Sequence, residues 1–153
     1  NETKGIWTGA VIQTTSAIVE MFVGISYVSI ENAALNLKTE VPVLSWETVL
    51  SKIKLSGERT FKILNISFNT DDQTKFDTAL YRTFLSPTLF NDANREYVSF
   101  KNDGSVSIVP DDMHAVYTDM SIWDVHRTQM PWLLFQDLQR FNDIAKSILL
   151  INR

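Results

Sequence analysis

The sequence predicts a mainly helical chain in which a few strands near the N-terminus precede helices in series. From Val19 to Tyr27 the odd positions are Val, Met, Val, Ile and Tyr, and this period of two is typical of a strand with one buried face. After Ser29, apolar residues recur at helical spacing instead. Because strands and helices do not alternate, the pattern favours a sheet whose last strands lead into an all-helical domain, rather than βαβ units.

The predicted strand has one candidate partner, the apolar stretch Ile6–Ile12, with a turn at Gln13–Ser16 between them. A two-stranded hairpin is marginally stable in water, so we expect further strands from outside this chain. The sequence also begins without an initiator Met and ends in an apolar helix. We therefore expect it to be a piece of a longer polypeptide.

Two helices are predicted in the first half of the chain. Glu31–Lys38 has helical propensity and is limited by Pro42. Ser45 is a candidate N-cap for the next helix, which Gly57 is expected to interrupt. The stretch Thr60–Phe68 fits the end of a helix and a strand about equally well.

The second half predicts three further helices and a loop. A capping box at Thr70 begins a helix that Pro87 stops, and Asn91–Gly104 reads as a loop with a short hairpin. Another helix is expected from Asp119 or Ser121 to the residue before Pro131, and the last helix from Pro131 onward. Its apolar stripe consists of Leu134, Leu138, Phe141, Ala145 and Ile148.

Composition excludes several function classes. The net charge is −4, with 14 Lys and Arg against 18 Asp and Glu, so there is no basic surface for nucleic acid or anionic lipid. No cysteine is present, and no run approaches the ~20 apolar residues of a membrane-spanning helix. A phosphate loop, a nucleophile elbow and a His-Glu-x-x-His motif are missing from the sequence. His114 and His126 are too far apart in sequence for a helical metal site.

The candidate site is the segment around Trp123, Asp124 and Arg127. On a helix, Asp124 and Arg127 are i,i+3 neighbours, and Trp123 and Arg127 are i,i+4 neighbours. In a purely structural interpretation, Trp123 is a core residue and the charged residues form a surface ion pair. In a functional one, the indole stacks on a sugar ring, the carboxylate accepts two sugar hydroxyls, and the guanidinium orients that carboxylate. Spacing alone leaves both open.

Three motifs resemble glycoside hydrolase family 92. Residues Val23–Ala33 read Val-Gly-Ile-Ser-Tyr-Val-Ser-Ile-Glu-Asn-Ala, as in the first motif of that family. The second match is Phe76–Tyr81, which continues through Leu85–Pro87 to Phe90–Asp92, and the third is Tyr117–Arg127. The motifs occur in family order over most of the chain, and this resemblance favours the functional interpretation.

The resemblance implies a fold and a domain organisation. Family members are calcium-dependent exo-acting α-mannosidases, in which an N-terminal β-sandwich leads through linker helices into an (α/α)6 barrel. By analogy, residues 1–29 would be the last strands of the sandwich and residues 30–44 the linker helix. Residues 45–153 would be the first helices of an incomplete catalytic barrel.

The resemblance also implies a substrate-binding role for Trp123 as a pocket wall and Asp124 as a hydroxyl acceptor, with Arg127 supporting them. The catalytic acid and base and the calcium ligands are expected in later barrel helices, outside this chain. We therefore expect no catalytic or metal-binding residue here, and a chain that is inactive alone although its parent removes terminal α-mannose with inversion. In the second motif, Arg82 stands where the family commonly has a histidine.

An alternative is a non-catalytic carbohydrate-binding or interaction module derived from the same family. An open reading frame that continues with further helical hairpins would favour the enzyme, and a stop after Arg153 the module. In either case the expected partners are a mannose-containing glycan and, for the enzyme, the rest of the parent polypeptide. The resemblance implies a secreted, periplasmic or cell-surface location.

Overall fold

The computed structural model describes residues 11–61, 66–101 and 103–152. This part of the chain is mainly helical, as predicted, with four short strands. The helices are α1 (Ile30–Glu40), α2 (Trp46–Phe61), α3 (Thr70–Arg82), α4 (Ile122–Val125), α5 (Gln129–Gln136) and α6 (Leu138–Ile151). The strands are β1 (Thr88–Leu89), β2 (Glu96–Val98), β3 (Val106–Ile108) and β4 (Tyr117–Thr118). None of the helices in the described ranges is long and apolar enough to span a bilayer.

The starts of the first three helices follow local capping signals. The Ser29 hydroxyl accepts a hydrogen bond from the Asn32 amide at 3.0 Å and caps α1. Ser45 directly precedes α2, as predicted, and its carbonyl oxygen accepts a hydrogen bond from the Val49 amide. Gly57 lies within α2 and does not interrupt it. α3 is capped by Asn69 rather than by Thr70, because the Asn69 side chain accepts the Asp72 amide at 3.0 Å. Residues 62–65, within the ambiguous stretch, lie outside the described residues.

The strand predicted at Val19–Tyr27 does not form in the described structure. These residues belong to no sheet, although their accessibility alternates with the period of an extended chain. From Met21 to Tyr27 the alternation runs opposite to the prediction: the odd positions, such as Ile25 at 70%, are exposed and the even ones are half-buried. A ladder needs a neighbouring strand, and most of the predicted partner, Ile6–Ile12, lies outside the described residues.

Gly24 is where this extended segment crosses α1. A Cβ atom at this position would lie 2.2 Å from the Ala33 carbonyl oxygen and 3.0 Å from the Leu37 Cβ. The close approach explains the glycine in the first motif, since any larger residue displaces backbone.

We expect Gly24→Ala to separate the segment from α1 at a cost of about 1–3 kcal/mol, typical of overpacking. Amide hydrogen exchange of α1 measures this cost locally and should accelerate. The matched change Gly104→Ala meets no atom within 4 Å and is opposed only by the positive φ of 70°. It should leave exchange in α1 unchanged, and equal effects of the two variants would contradict the packing explanation.

Two antiparallel pairs form the sheet structure of the second half. The hairpin predicted within Asn91–Gly104 extends further than expected, with β2 paired to β3 so that Tyr97 faces Ser107. β1 pairs with β4, which places Thr88 opposite Thr118. The second pair links the residues after α3 to the residues before α4.

The helix predicted up to Pro131 is wrong in its end point. α4 has only 4 residues, and α5 begins at Gln129, so Pro131 lies inside the first turn of α5. A proline is tolerated there because the first-turn amides have no partner within the helix.

The single last helix predicted from Pro131 is two helices. They meet at Asp137, whose side chain accepts the Arg140 amide at 2.9 Å and caps α6. The break changes the helical phase, so the buried side chains are not the predicted stripe. Leu138, at 58%, is exposed, while the side chains with the least exposure on these helices are Leu133, Asp143, Ile144 and Ser147.

A compact core lies between the β2–β3 hairpin, the loop that follows it and the C-terminal helix. Its buried members are Tyr97, Val109, Met113 and Val116, and Phe90, Phe100 and Leu150 pack against them. Phe90 and Phe100 are stacked, with ring centroids 5.4 Å apart. This core supports β4, from which the chain leaves toward the candidate site.

Candidate functional site

The predicted site residues lie on an exposed segment, residues 119–128, which connects β4 to α5 and contains α4. Trp123 is 87% exposed, and Asp124 and Arg127 are also exposed. The Asp119 backbone has a φ of 59°, a left-handed conformation that redirects the chain after β4. The segment therefore presents an indole and a carboxylate to the outside of the described structure.

Neither feature of the purely structural interpretation is present. Trp123 is not a core residue, and Asp124 and Arg127 form no ion pair with each other. The reason is that α4 ends at Val125, so the two charged residues do not share a continuous helical turn. His126 Nδ1 lies 2.9 Å from the Trp123 carbonyl oxygen and 3.0 Å from that of Ile122, so the ring closes the end of α4.

Both ends of the segment are attached to the residues that follow α3. The Ser86 hydroxyl donates to the Asp119 carbonyl oxygen at 3.1 Å. At the other end, Gln129 Nε2 donates to the carbonyl oxygens of Thr83, at 2.7 Å, and of Ser86. Both ends of the exposed segment are thus hydrogen-bonded to the loop that follows α3.

An aromatic cleft of about 500 Å³ lies at the C-terminal end of the segment. It is lined by Thr83, Thr128, Gln129, Pro131, Trp132 and Phe135. Trp132 Nε1 is buried without a hydrogen-bond partner in the described structure. Aromatic walls with a few polar groups are typical of small-molecule sites in proteins.

A second cleft, of about 730 Å³, has Arg140 in its wall. The Arg140 guanidinium lies 5.4 Å from the Phe84 ring centroid and 5.5 Å from that of Tyr117. Burial raises the pKa of the Tyr117 phenol, and the positive charge of Arg140 partly opposes the shift. The contact with Arg140 thus holds the ring of Tyr117, the first residue of the third motif.

A buried polar network centred on Asp92 joins the first and second motifs. Asp92 is 5% exposed and accepts hydrogen bonds from the Ser26 hydroxyl at 2.6 Å, from Asn32 Nδ2 at 2.8 Å and from Asn36 Nδ2 at 2.6 Å. Asn32 Nδ2 also donates to Glu96 Oε2 at 2.9 Å. The sequence prediction missed this network, because its members are distant along the chain and no periodicity connects them. The only signal was the presence of Ser26, Asn32 and Asp92 in two motifs of one family, since Asn36 and Glu96 lie outside those motifs.

The resemblance implies that the calcium ligands lie outside this chain. No group of three or more His, Asp or Glu side chains among the described residues is arranged to hold a metal ion. The carboxylates of Asp92 and Glu96 accept hydrogen bonds from side-chain amides, and Asp92 also accepts one from the Ser26 hydroxyl. His114 Nδ1 lies 3.8 Å from Asp143 Oδ2, a single pair between an exposed imidazole and a buried carboxylate.

The chain is similar in structure to known glycoside hydrolases. An α-mannosidase of family 92 from Bacteroides thetaiotaomicron matches with a TM-score of 0.75 and 25% identity, over 82% of this chain and 16% of that one. The same α-mannosidase in complex with mannoimidazole matches with a TM-score of 0.76, again at 25% identity and over 82% and 16% of the two chains. The family 92 glycosyl hydrolase ccman5 matches with a TM-score of 0.72 and 23% identity, over 82% of this chain and 17% of its own.

The sequence itself matches a family. No curated protein matches the chain. The sequence model of the glycosyl hydrolase family 92 catalytic domain matches residues 32–153, which include the second and third motifs and the end of the first. The chain therefore belongs to glycoside hydrolase family 92.

Proposed function

We propose that this chain is part of an α-mannosidase that removes terminal α-linked mannose from glycans with inversion. The observation that carries the proposal is the 87% exposure of Trp123, next to an exposed Asp124 that has no ion-pair partner among the described residues. An exposed indole beside an exposed carboxylate that forms no ion pair with a described residue supports a role in ligand binding. The structure of a family 92 α-mannosidase in complex with mannoimidazole supports a mannose-like ligand.

The two side chains have complementary roles in this proposal. The face of the Trp123 indole packs against the apolar face of a pyranose. The Asp124 carboxylate accepts hydrogen bonds from two adjacent hydroxyls, and such charge-assisted bonds are short and strong. Arg127, which forms no ion pair with Asp124 in this structure, is assigned the role of orienting the carboxylate when the sugar is bound.

The chain spans 16% of the first relatives' length, and we propose that the rest of a longer polypeptide completes the site. Residues 1–29 would end a β-sandwich, residues 30–44 would link it to the barrel, and residues 45–153 would begin an (α/α)6 barrel. Inverting hydrolysis needs an acid and a base with carboxyl groups ~6.5–9.5 Å apart. The proposal assigns both, and the calcium ligands, to residues outside this chain.

A polypeptide of this function would meet its glycans outside the cytoplasm. We therefore propose a secreted, periplasmic or cell-surface location. A parent gene without any N-terminal export signal would contradict this part of the proposal.

Hydrolysis of an aryl α-mannoside tests the proposal in two samples, this chain and the longer polypeptide. We expect no turnover by the chain alone, because Asp124 cannot act as both acid and base. The longer polypeptide should be active, should lose activity with a calcium chelator and regain it with calcium but not with magnesium. The first product seen by NMR should be β-mannose.

The other outcomes are equally informative. Turnover by this chain alone would contradict the assignment of the catalytic groups. If the full-length natural polypeptide binds mannosides without hydrolysing them, the result would instead favour the carbohydrate-binding module.

A further inference from the structure

We propose that Gln129 and Ser86 are positioning residues that hold segment 119–128 at both ends and so place Trp123 and Asp124 for sugar binding. This inference rests on the proposed function of those two side chains. Neither Gln129 nor Ser86 needs to contact the sugar. Each acts through the backbone of the segment.

No side chain of the segment is fully buried. Met120 and Val125 are half-buried, and the others, among them Ile122 at 50% and Trp123 at 87%, are exposed. α4 has 4 residues and no side-chain hydrogen bond at its N-cap. A helix this short is not stable by itself, so its position depends on the attachments at its ends.

The N-terminal attachment is at Asp119. The Ser86 hydroxyl donates to the Asp119 carbonyl oxygen at 3.1 Å, directly after the β1–β4 pairing of Thr88 with Thr118. The positive φ of Asp119 turns the chain at this point. The bond to Ser86 therefore stabilises the turn that sets the direction of α4.

The C-terminal attachment is at Gln129. Its half-buried Nε2 donates to two carbonyl oxygens, those of Thr83 and Ser86. A side-chain amide nitrogen carries two N–H groups, so both donors are used. Because Ser86 also holds Asp119, both ends of the segment are attached to the same short loop after α3.

A shared anchor defines the distance between the two ends. Loss of one attachment leaves the segment free to move about the other, while α6 and the core around Val116 keep their contacts. Productive sugar binding requires the indole ring and the carboxylate to be placed to within about 1 Å. A misplacement of that size can lower the catalytic rate by up to about 10²-fold. Loss of either attachment should therefore weaken sugar binding by displacing Trp123 and Asp124.

Gln129→Met tests the anchor, because it keeps the length of the side chain and removes both donors. We expect amide exchange of residues 121–128 to accelerate about 10- to 30-fold, as for loss of two ordinary hydrogen bonds. Exchange of α6 should be unchanged. Gln139→Met is the matched control, since Gln139 is exposed and makes no side-chain hydrogen bond with a described residue.

Unchanged exchange of residues 121–128 in Gln129→Met would overturn the proposal. If Gln129→Met also accelerates exchange of α6, its effect is not local, and Ser86→Ala decides. That variant should loosen residues 119–122 with α6 intact, and no change there would overturn the proposal.

The second readout is the kinetics of the longer polypeptide on an aryl α-mannoside. We expect Gln129→Met to raise KM about tenfold and to change kcat by less than about threefold, because the anchor affects placement of the sugar rather than the reacting groups. Unchanged KM with a loosened segment would overturn the positioning role. An Asp124→Asn variant with normal rates would overturn the proposed function instead, whatever the exchange data show.

Discussion

Asp124→Asn in the longer polypeptide is expected to lower kcat/KM for an aryl α-mannoside by about 10²-fold or more, with no change in Tm. The substitution keeps the shape of the side chain and removes its charge. Hydrogen bonds to charged groups contribute ~1.5–3 kcal/mol each, and the loss of about 2.7 kcal/mol corresponds to 10²-fold in rate. Stability should not change, because Asp124 is exposed and makes no ion pair with Arg127.

Two further variants make the result specific. Asp111→Asn is the matched control, since this aspartate is exposed and distant in sequence from the site, and its kinetics should be normal. Arg127→Ala should reduce kcat/KM less than Asp124→Asn and leave the melting temperature unchanged. Normal kinetics in Asp124→Asn, or a Tm loss shared by both charged-residue variants, would contradict a sugar-binding carboxylate.

Asp92→Ala is expected to loosen α1 and the segment before it by about 3 kcal/mol or more. The variant leaves three donors without their acceptor, namely the Ser26 hydroxyl and the side-chain amides of Asn32 and Asn36. Bonds to a charged acceptor are worth ~1.5–3 kcal/mol each, and unsatisfied buried groups add a penalty. Amide exchange of α1 should therefore accelerate about 10²-fold or more.

The control for Asp92→Ala is a comparison of amide exchange in α1 with amide exchange elsewhere in the chain. Exchange of α6, which does not contribute to the network, should change much less than exchange of α1. Asp111→Ala should leave both unchanged. Equal acceleration throughout the chain would show that Asp92 supports the fold as a whole rather than the junction of the first two motifs.

Where local chemistry decides the structure, the sequence was informative. The hydroxyl of Ser45 and the propensity of Glu31–Lys38 were sufficient to predict α1 and the start of α2. The Asn69 cap was missed by one residue, because Asn and Thr compete for the same role. Membership of the family was also predictable, since its motifs consist of short stretches that can be identified without knowledge of the fold.

Where distant contacts decide, the sequence was not sufficient. Alternation at Val19–Tyr27 identified an extended segment but not a strand, since a ladder requires a partner. The break at Asp137 changes the direction of the apolar faces of α5 and α6. The apolar periodicity of the sequence predicted one continuous helix and gave no sign of this break. The Asp92 network depends on residues about sixty positions apart.

The candidate site shows the same division. Trp123 and Asp124 were identified from a motif, whereas the attachments that hold their segment come from Ser86 and Gln129. The predicted Asp124–Arg127 contact assumed one continuous helix, and α4 ends before Arg127. Under the proposed function, the side chains that would contact the sugar lie in a family motif, whereas the attachment made by Gln129 became visible only through the fold.

The most direct measurement of the proposed site is a crystal structure of the longer polypeptide with a bound mannose analogue. We expect both Asp124 carboxylate oxygens to lie about 2.6–2.9 Å from two adjacent sugar hydroxyls, as in charge-assisted hydrogen bonds, with the Trp123 indole against the apolar face of the ring. A sugar bound with neither side chain in contact would contradict the central claim that segment 119–128 binds the substrate.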